Sequence, residues 1–290
     1  MLAGFLFLLF LAKQGWPEIE AHLSGIHLLG FIASVLFSFA CNLVLAFYFQ
    51  RLLGKHGISI SLLVAIKMHM VGQIAKYIPG KVWAIAYQAS FTESVKGAAG
   101  VFLANVEMML CTMYMTLIVG LALVLSVFSY IYAALALFSG GVVFVLLFKT
   151  NLIGDVFAFF SRKYKQLALF ECAHQSHLKS LDGALIFILF VVSFVLSNGL
   201  MLTSVFHFSM DVTAIYIAML AAAWLAGVFV FVVPAGMGAR EIIFVLISSY
   251  MDPEQSIATL TAISVFSRFW LILQELCLLF LLKLLCFYPL

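Results

Sequence analysis

Apolar residues fall in long blocks along this chain, separated by short polar stretches and by breaks rich in glycine and proline. The first block, residues 1–14, predicts an opening membrane helix that is short for a span of roughly 20 residues. It lacks a basic leading region and a small-x-small cleavage site, so it does not read as a signal peptide. Gly15, Pro17, Glu18 and Glu20 mark residues 15–25 as an exposed loop. A second span covers 26–50 and ends at Arg51 and Lys55. The stretch 58–96 is less apolar, carries Lys67, His69, Gln73, Lys76, Lys81, Glu93 and Lys96, and breaks at Pro79-Gly80. Two half-helices meeting at that break fit it better than one span. Long helices are predicted over 98–126 and 130–148, then a polar segment, 149–182, where Phe and Leu alternate with Lys and Arg. That pattern predicts an amphipathic connector lying on a membrane surface. Spans follow at 183–207 and 213–233, a second break at 234–241, a short apolar piece at 242–251, and a last helix over 254–285 that begins at Asp252-Pro253.

The distribution of Lys and Arg sets an orientation. The connector 149–182 and the Arg51/Lys55 end are basic and are expected in the cytoplasm. The loops 15–25 and 208–212 contain no Lys or Arg and are expected outside. Counting spans then makes 58–96 a re-entrant hairpin open to the cytoplasm and 213–251 one open to the exterior. The expected architecture is all-α: a polytopic integral membrane protein with about six full spans plus two re-entrant broken-helix hairpins. It is a single transmembrane domain, 1–290, with halves 26–126 and 183–285 related as an inverted repeat. Helix 130–148 and the connector join them.

Composition agrees. The 290 residues are 66% hydrophobic and 9% charged, with 30 Phe and a mean hydropathy of +1.20. So few charges cannot cover a soluble domain. Long continuous apolar runs exclude the short alternating strands of a membrane barrel. A formal charge of +3 gives nucleic-acid binding no support. Four of the five cysteines lie in apolar runs, where they pack as small hydrophobes.

Against that background the charged breaks stand out. Lys76, Tyr77, Pro79, Gly80, Lys81 and Trp83 combine a helix break with two ammonium groups and two aromatics. A half-helix starting there directs unpaired N–H groups at a cavity, which suits a phosphate or carboxylate. The bland alternative has both lysines snorkelling to the surface. At the second break Arg240 offers a fork of donors to a phosphate, and Glu241 can pair with Arg240 or Arg268. Glu107, Arg268 and Glu275 sit inside long apolar helices, where a charge is costly unless paired or facing water. Arg268 and Glu275, seven residues apart, share a helix face. Glu107 is the candidate partner for a cation of the other half, or a proton carrier, as is Glu275; interhelical glue is the plainer role for all three. Cys172, His174 and His177 have metal-like spacing, but no second Cys/His cluster accompanies them, so no metal and no cofactor are expected. No Walker loop, dinucleotide fingerprint, nucleophile elbow or zinc-protease motif occurs, and no catalytic residue is assigned.

At these residues the chain resembles the flippase-like membrane family that includes the transmembrane region of lysylphosphatidylglycerol synthase. The resemblance rests on Lys-Tyr-Ile-Pro-Gly-Lys-Val-Trp at 76–83 and Pro-Ala-Gly-Met-Gly-Ala-Arg-Glu at 234–241, with Glu107 and Arg268 in the helices that follow. Ala235 stands where the family often has glycine. The resemblance implies movement of a lipid with an anionic headgroup between leaflets of a bacterial or archaeal inner membrane. The lipid is a phospholipid, a glycolipid or a polyprenyl-phosphate-linked lipid. The connector is far below domain size, so the synthase activity is not carried over and no enzymatic activity is expected. Two alternatives stay open: an integral-membrane transferase acting on a lipid phosphate, and a non-catalytic partner of a glycosyltransferase or lipid synthase. A homo-oligomer is compatible with either.

Overall fold

The computed structural model describes residues 13, 16, 17, 19–75, 83–92, 94–150, 155, 156, 159, 179–229, 236 and 238–286. All regular structure among them is helical. In chain order the long elements are α1 (Leu28–Lys55), α2 (Leu62–Ala75), α3 (Trp83–Ala89), α4 (Val95–Phe128), α5 (Tyr130–Lys149), α6 (Ser180–Phe206), α7 (Met210–Phe229), α8 (Ala239–Met251) and α9 (Ile257–Cys286). Six of them, α1, α4, α5, α6, α7 and most of α9, are long and apolar enough to cross a membrane. The chain is therefore a multi-pass helical membrane protein.

The helix boundaries follow local chemistry. Serines stand just before four helices and accept a backbone N–H from the first turn: Ser61 from Val64, Ser94 from Gly97, Ser129 from Ile131 and Ser256 from Thr259. The last cap corrects one expectation. Asp252-Pro253 is part of a turn rather than a helix start, and α9 begins at Ile257. α1 ends in a Schellman motif. Gly57, at φ 80°, takes the left-handed position; Ile58 N–H donates to Leu53 O at 2.9 Å and Gly57 N–H to Gly54 O at 3.1 Å. Two further expectations change. Residues 19–23 are helical rather than loop, and Ile19 joins the core. α7, drawn above as a hairpin arm over 213–233, has 20 residues and is itself of spanning length. The predicted helix at 1–14, the Lys76–Lys81 break and most of the connector, with Cys172, His174 and His177, lie outside the described residues.

The chain divides into two compact units. One comprises residues 1–40, 116–137 and 192–290; the other comprises 41–115 and 138–191. The division does not follow the sequence halves, because α1, α4, α5 and α6 each contribute to both. In the first unit the core gathers Met201, Leu202 and Val205 of α6, Tyr216 and Met219 of α7, Phe244 of α8, and Leu260, Ile263 and Trp270 of α9. His27 N–H donates to Ser204 O at 3.0 Å, the Phe208 and Tyr216 rings stack at 4.8 Å, and Tyr216 donates to Asp252 at 3.1 Å. The start of α1, the end of α6, the start of α7 and the end of α8 thus share one end of that unit. In the second unit Tyr48, Phe144 and Phe148 are fully buried and pack ring against ring. Arg51 pairs with Asp182 at 3.3 Å, and Lys55 donates to Thr150 O at 2.6 Å, so the basic end of α1 meets the end of α5 and the start of α6.

Each unit contains an antiparallel pair that includes a short helix. In the second unit α3 returns along α2: Gly72 lies beside Ala84, and Gln88 donates to Met68 O at 3.1 Å. In the first, α8 returns along α7: Gly227 lies against Arg240, Met219 meets Ser248, and Tyr216 meets Asp252. In both pairs the partner positions fall on one arm as they rise on the other, which defines antiparallel register.

Candidate functional site

The turn into α8 is built on glycines. Gly236 and Gly238 have φ of 67° and 84°, a region L side chains rarely adopt. Gly238 precedes α8, and its N–H donates to the Glu241 carboxylate at 2.6 Å. The carboxylate therefore occupies the positive end of α8. Its other oxygen faces Arg268 of α9, Oε1 to Nε 3.7 Å, with both side chains buried. Of the two cations open to Glu241 on sequence grounds, the fold brings Arg268 to it.

Arg240, the adjacent residue, turns the other way. Its guanidinium lies over the Trp224 ring, 5.7 Å from the centroid, and its stem rests on Gly227. A Cβ at Gly227 would overlap the Arg240 side chain, and one at Gly236 would come within 2.9 Å of Gly227 O and 3.1 Å of Arg240 Nε. Two glycines thus clear the room in which Arg240 packs on α7. Sequence reading missed Trp224 and Gly227. The only signal for Gly227 was a glycine three residues after a tryptophan inside an apolar helix.

α9 carries a buried polar stripe. Thr261, Ser264, Arg268 and Glu275 are all at most 8% exposed, and their spacing puts them on one face. A second row ties α9 to α1: Trp270 donates to Ser34 at 3.1 Å, and Ser38 bonds Gln274.

The second unit holds a different charged cluster. Glu107 was expected to pair with a cation of the other half. Its partners instead come from the same half: Lys55 Nζ donates to Oε1, and His56 Nε2 stands 3.3 Å from Oε2. Lys55, read above as an end-of-span charge, is 1% exposed. Nothing in the sequence distinguishes it from Arg51, four residues earlier, which stays partly exposed on Asp182. Nearby, Gln88 accepts from Asn105 at 2.7 Å, linking α3 to α4.

The remaining residues singled out from sequence are placed less centrally. Trp83 opens α3 and is 53% exposed; Lys76, Tyr77, Pro79, Gly80 and Lys81 lie outside the described residues. Among the described residues no group of three or more His, Cys, Asp or Glu could hold a metal ion. Compared with protein-family models, with curated proteins and with solved structures, the chain matches none. Its function is argued from its own residues.

Proposed function

We propose that the protein is a lipid flippase that moves a phosphate-containing lipid between membrane leaflets. The observation that carries this reading is the buried Glu241–Arg268 pair at the glycine turn that opens α8. Arg268 lies eleven residues into α9, about 17 Å along its axis, close to mid-depth of a hydrocarbon core about 30 Å thick. An intramembrane arginine at a discontinuous helix marks a substrate path in many membrane proteins. The place now taken by the Glu241 carboxylate has the chemistry a phosphate oxygen needs: a guanidinium on one side and a helix N-terminus on the other. In this reading the headgroup exchanges with Glu241 for Arg268, and Arg240 supplies a second guanidinium from the Trp224 side. Lys76 and Lys81 serve the first hairpin in the same way. Acyl or prenyl chains stay in the bilayer, so only the polar headgroup crosses. In this reading α2–α3 is a re-entrant hairpin, and the spanning-length α7 with α8 is its counterpart in an inverted repeat, in a bacterial or archaeal inner membrane, without catalysis.

The experiment is lipid translocation by the purified chain in proteoliposomes. Arg240→Ala and Lys81→Ala are each expected to slow movement of labelled phosphatidylglycerol by about tenfold or more, the loss of one charge-assisted contact. Unchanged rates in both variants would sink this site assignment.

A further inference from the structure

We infer that Lys55, His56 and Glu107 form a proton-binding site, through which a proton gradient drives the transport proposed above. The role of the gradient rests on that reading; the proton site itself does not.

The cluster is built by the end of α1. The Schellman turn at Gly57 fixes Lys55 as the last helical residue and His56 as the cap. Both side chains then face Glu107 of α4. Exposure of the Lys55, His56 and Glu107 side chains is 0%, 3% and 5%, so water does not screen their charges. Each carboxylate oxygen has its own cationic or cation-forming neighbour, and Lys55 also donates to Thr150 O. Among the described residues, the other titratable groups that interact with the cluster are Tyr48 of α1 and Cys111 of α4, which also interact with each other. One turn back lies Arg51, engaged by Asp182 of α6; His69 of α2 faces the Phe49 ring. α5 ends in the exposed Lys149, and the Thr150 carbonyl that follows it accepts from Lys55.

A lysine and a carboxylate alone would neutralise each other and lock α1 to α4. The imidazole is the extra group, and it changes what the cluster can do. With Nε2 toward Glu107, Nε2 carries the hydrogen of the neutral ring and Nδ1 is the open base. His56 also precedes the exposed residues Gly57 and Ser59, so it is the member closest in sequence to water. A proton arriving at Nδ1 makes an imidazolium; the Nε2 proton can then pass to Glu107 Oε2. The ring is neutral again, Glu107 is an uncharged acid, and Lys55 keeps only the Thr150 carbonyl. One proton has entered, and the ionic link between α1 and α4 is gone. Loss of the proton restores it. Buried carboxylate–histidine chains of this kind are how membrane pumps and transporters carry protons.

The test uses the full chain, with ring-labelled histidine, in vesicles of phosphatidylethanolamine and phosphatidylglycerol. Nuclear magnetic resonance should show one histidine ring, missing in His56→Gln, whose hydrogen moves reversibly between Nε2 and Nδ1 as the pH is lowered and raised, with Glu107→Gln abolishing the exchange. A His56 ring fixed in one tautomer throughout would overturn the proton site and leave a structural lock. Should His56→Gln fail to fold, His56→Asn supplies the assignment. In the same vesicles an imposed pH gradient should speed lipid movement about fivefold or more, and His56→Gln should bring the ratio of rates with and without gradient to about one. Movement indifferent to the gradient while the His56 ring still switches tautomer would overturn the coupling. No lipid movement under any condition, with the ring still switching, would sink the transport reading and leave the proton site standing.

Discussion

Lys55 and Glu107 show how much a buried charge depends on its partner. Removing either one leaves the other uncompensated in a buried site, a cost of about 3–5 kcal/mol; removing both removes that cost. Glu107→Gln and Lys55→Met should therefore each lower thermal stability in detergent substantially. The double variant should be more stable than either single one, a coupling read directly from a double-mutant cycle. Additive losses would mean the pair contributes nothing of its own. The same residues show where sequence reading stops. Glu107, Arg268 and Glu275 were legible because a charge inside an apolar helix is conspicuous. Lys55 was not, because it lies beside Arg51 at a helix end where exposed lysines are ordinary; only the turn at Gly57 and the approach of α4 bury it. Trp224 was hidden for the opposite reason, as one apolar residue among many.

At the scale of elements, the central feature is the antiparallel pairing of α2 with α3 and α7 with α8. A Cβ at Gly72 would stand 3.8 Å from the Ala84 Cβ, the mean separation across a disulfide. Cysteines at Gly72 and Ala84, in a chain stripped of its native cysteines, should cross-link, with the Gln88 amide that lies 2.7 Å from that Cβ swinging aside. Pairs shifted by one residue on one arm should not, and equal cross-linking of shifted pairs would contradict the register. The glycine turn is open to a similar challenge. Gly236→Ala forces an L side chain into a left-handed conformation, at about 1–2 kcal/mol, and presses on Gly227 and Arg240. Lower stability is expected, together with loss of the Arg240–Trp224 contact, read as a change in tryptophan fluorescence. The turn into α8 was visible in sequence as glycines beside charges. The register of the two helical pairs was not, because it is set by contacts such as Gln88 to Met68 O and Tyr216 to Asp252 that no spacing rule anticipates.

For the whole molecule, hydropathy and charge bias were enough to predict a helical multi-pass protein, since apolar blocks of 20 residues and more have few other uses. The partition into compact units was beyond sequence reading, because four helices serve both units and each does so partway along its length. Orientation remains a prediction at this scale: cysteines placed at Ser24 and Ser209 should react with impermeant reagents from outside the cell, and one at Thr150 only from inside. The reverse pattern would invert the topology on which the hairpin assignment depends. The most direct test of the account is selectivity of lipid movement by the wild-type chain beside Arg268→Gln in proteoliposomes. The account expects labelled lipids with a phosphate-bearing anionic headgroup to cross, a neutral diacylglycerol-glucoside of equal chain length to cross no faster than in protein-free vesicles, and Arg268→Gln to lose about 2 kcal/mol or more of the barrier reduction, roughly thirtyfold in rate. Equal movement of both lipids, untouched by Arg268→Gln, would contradict it.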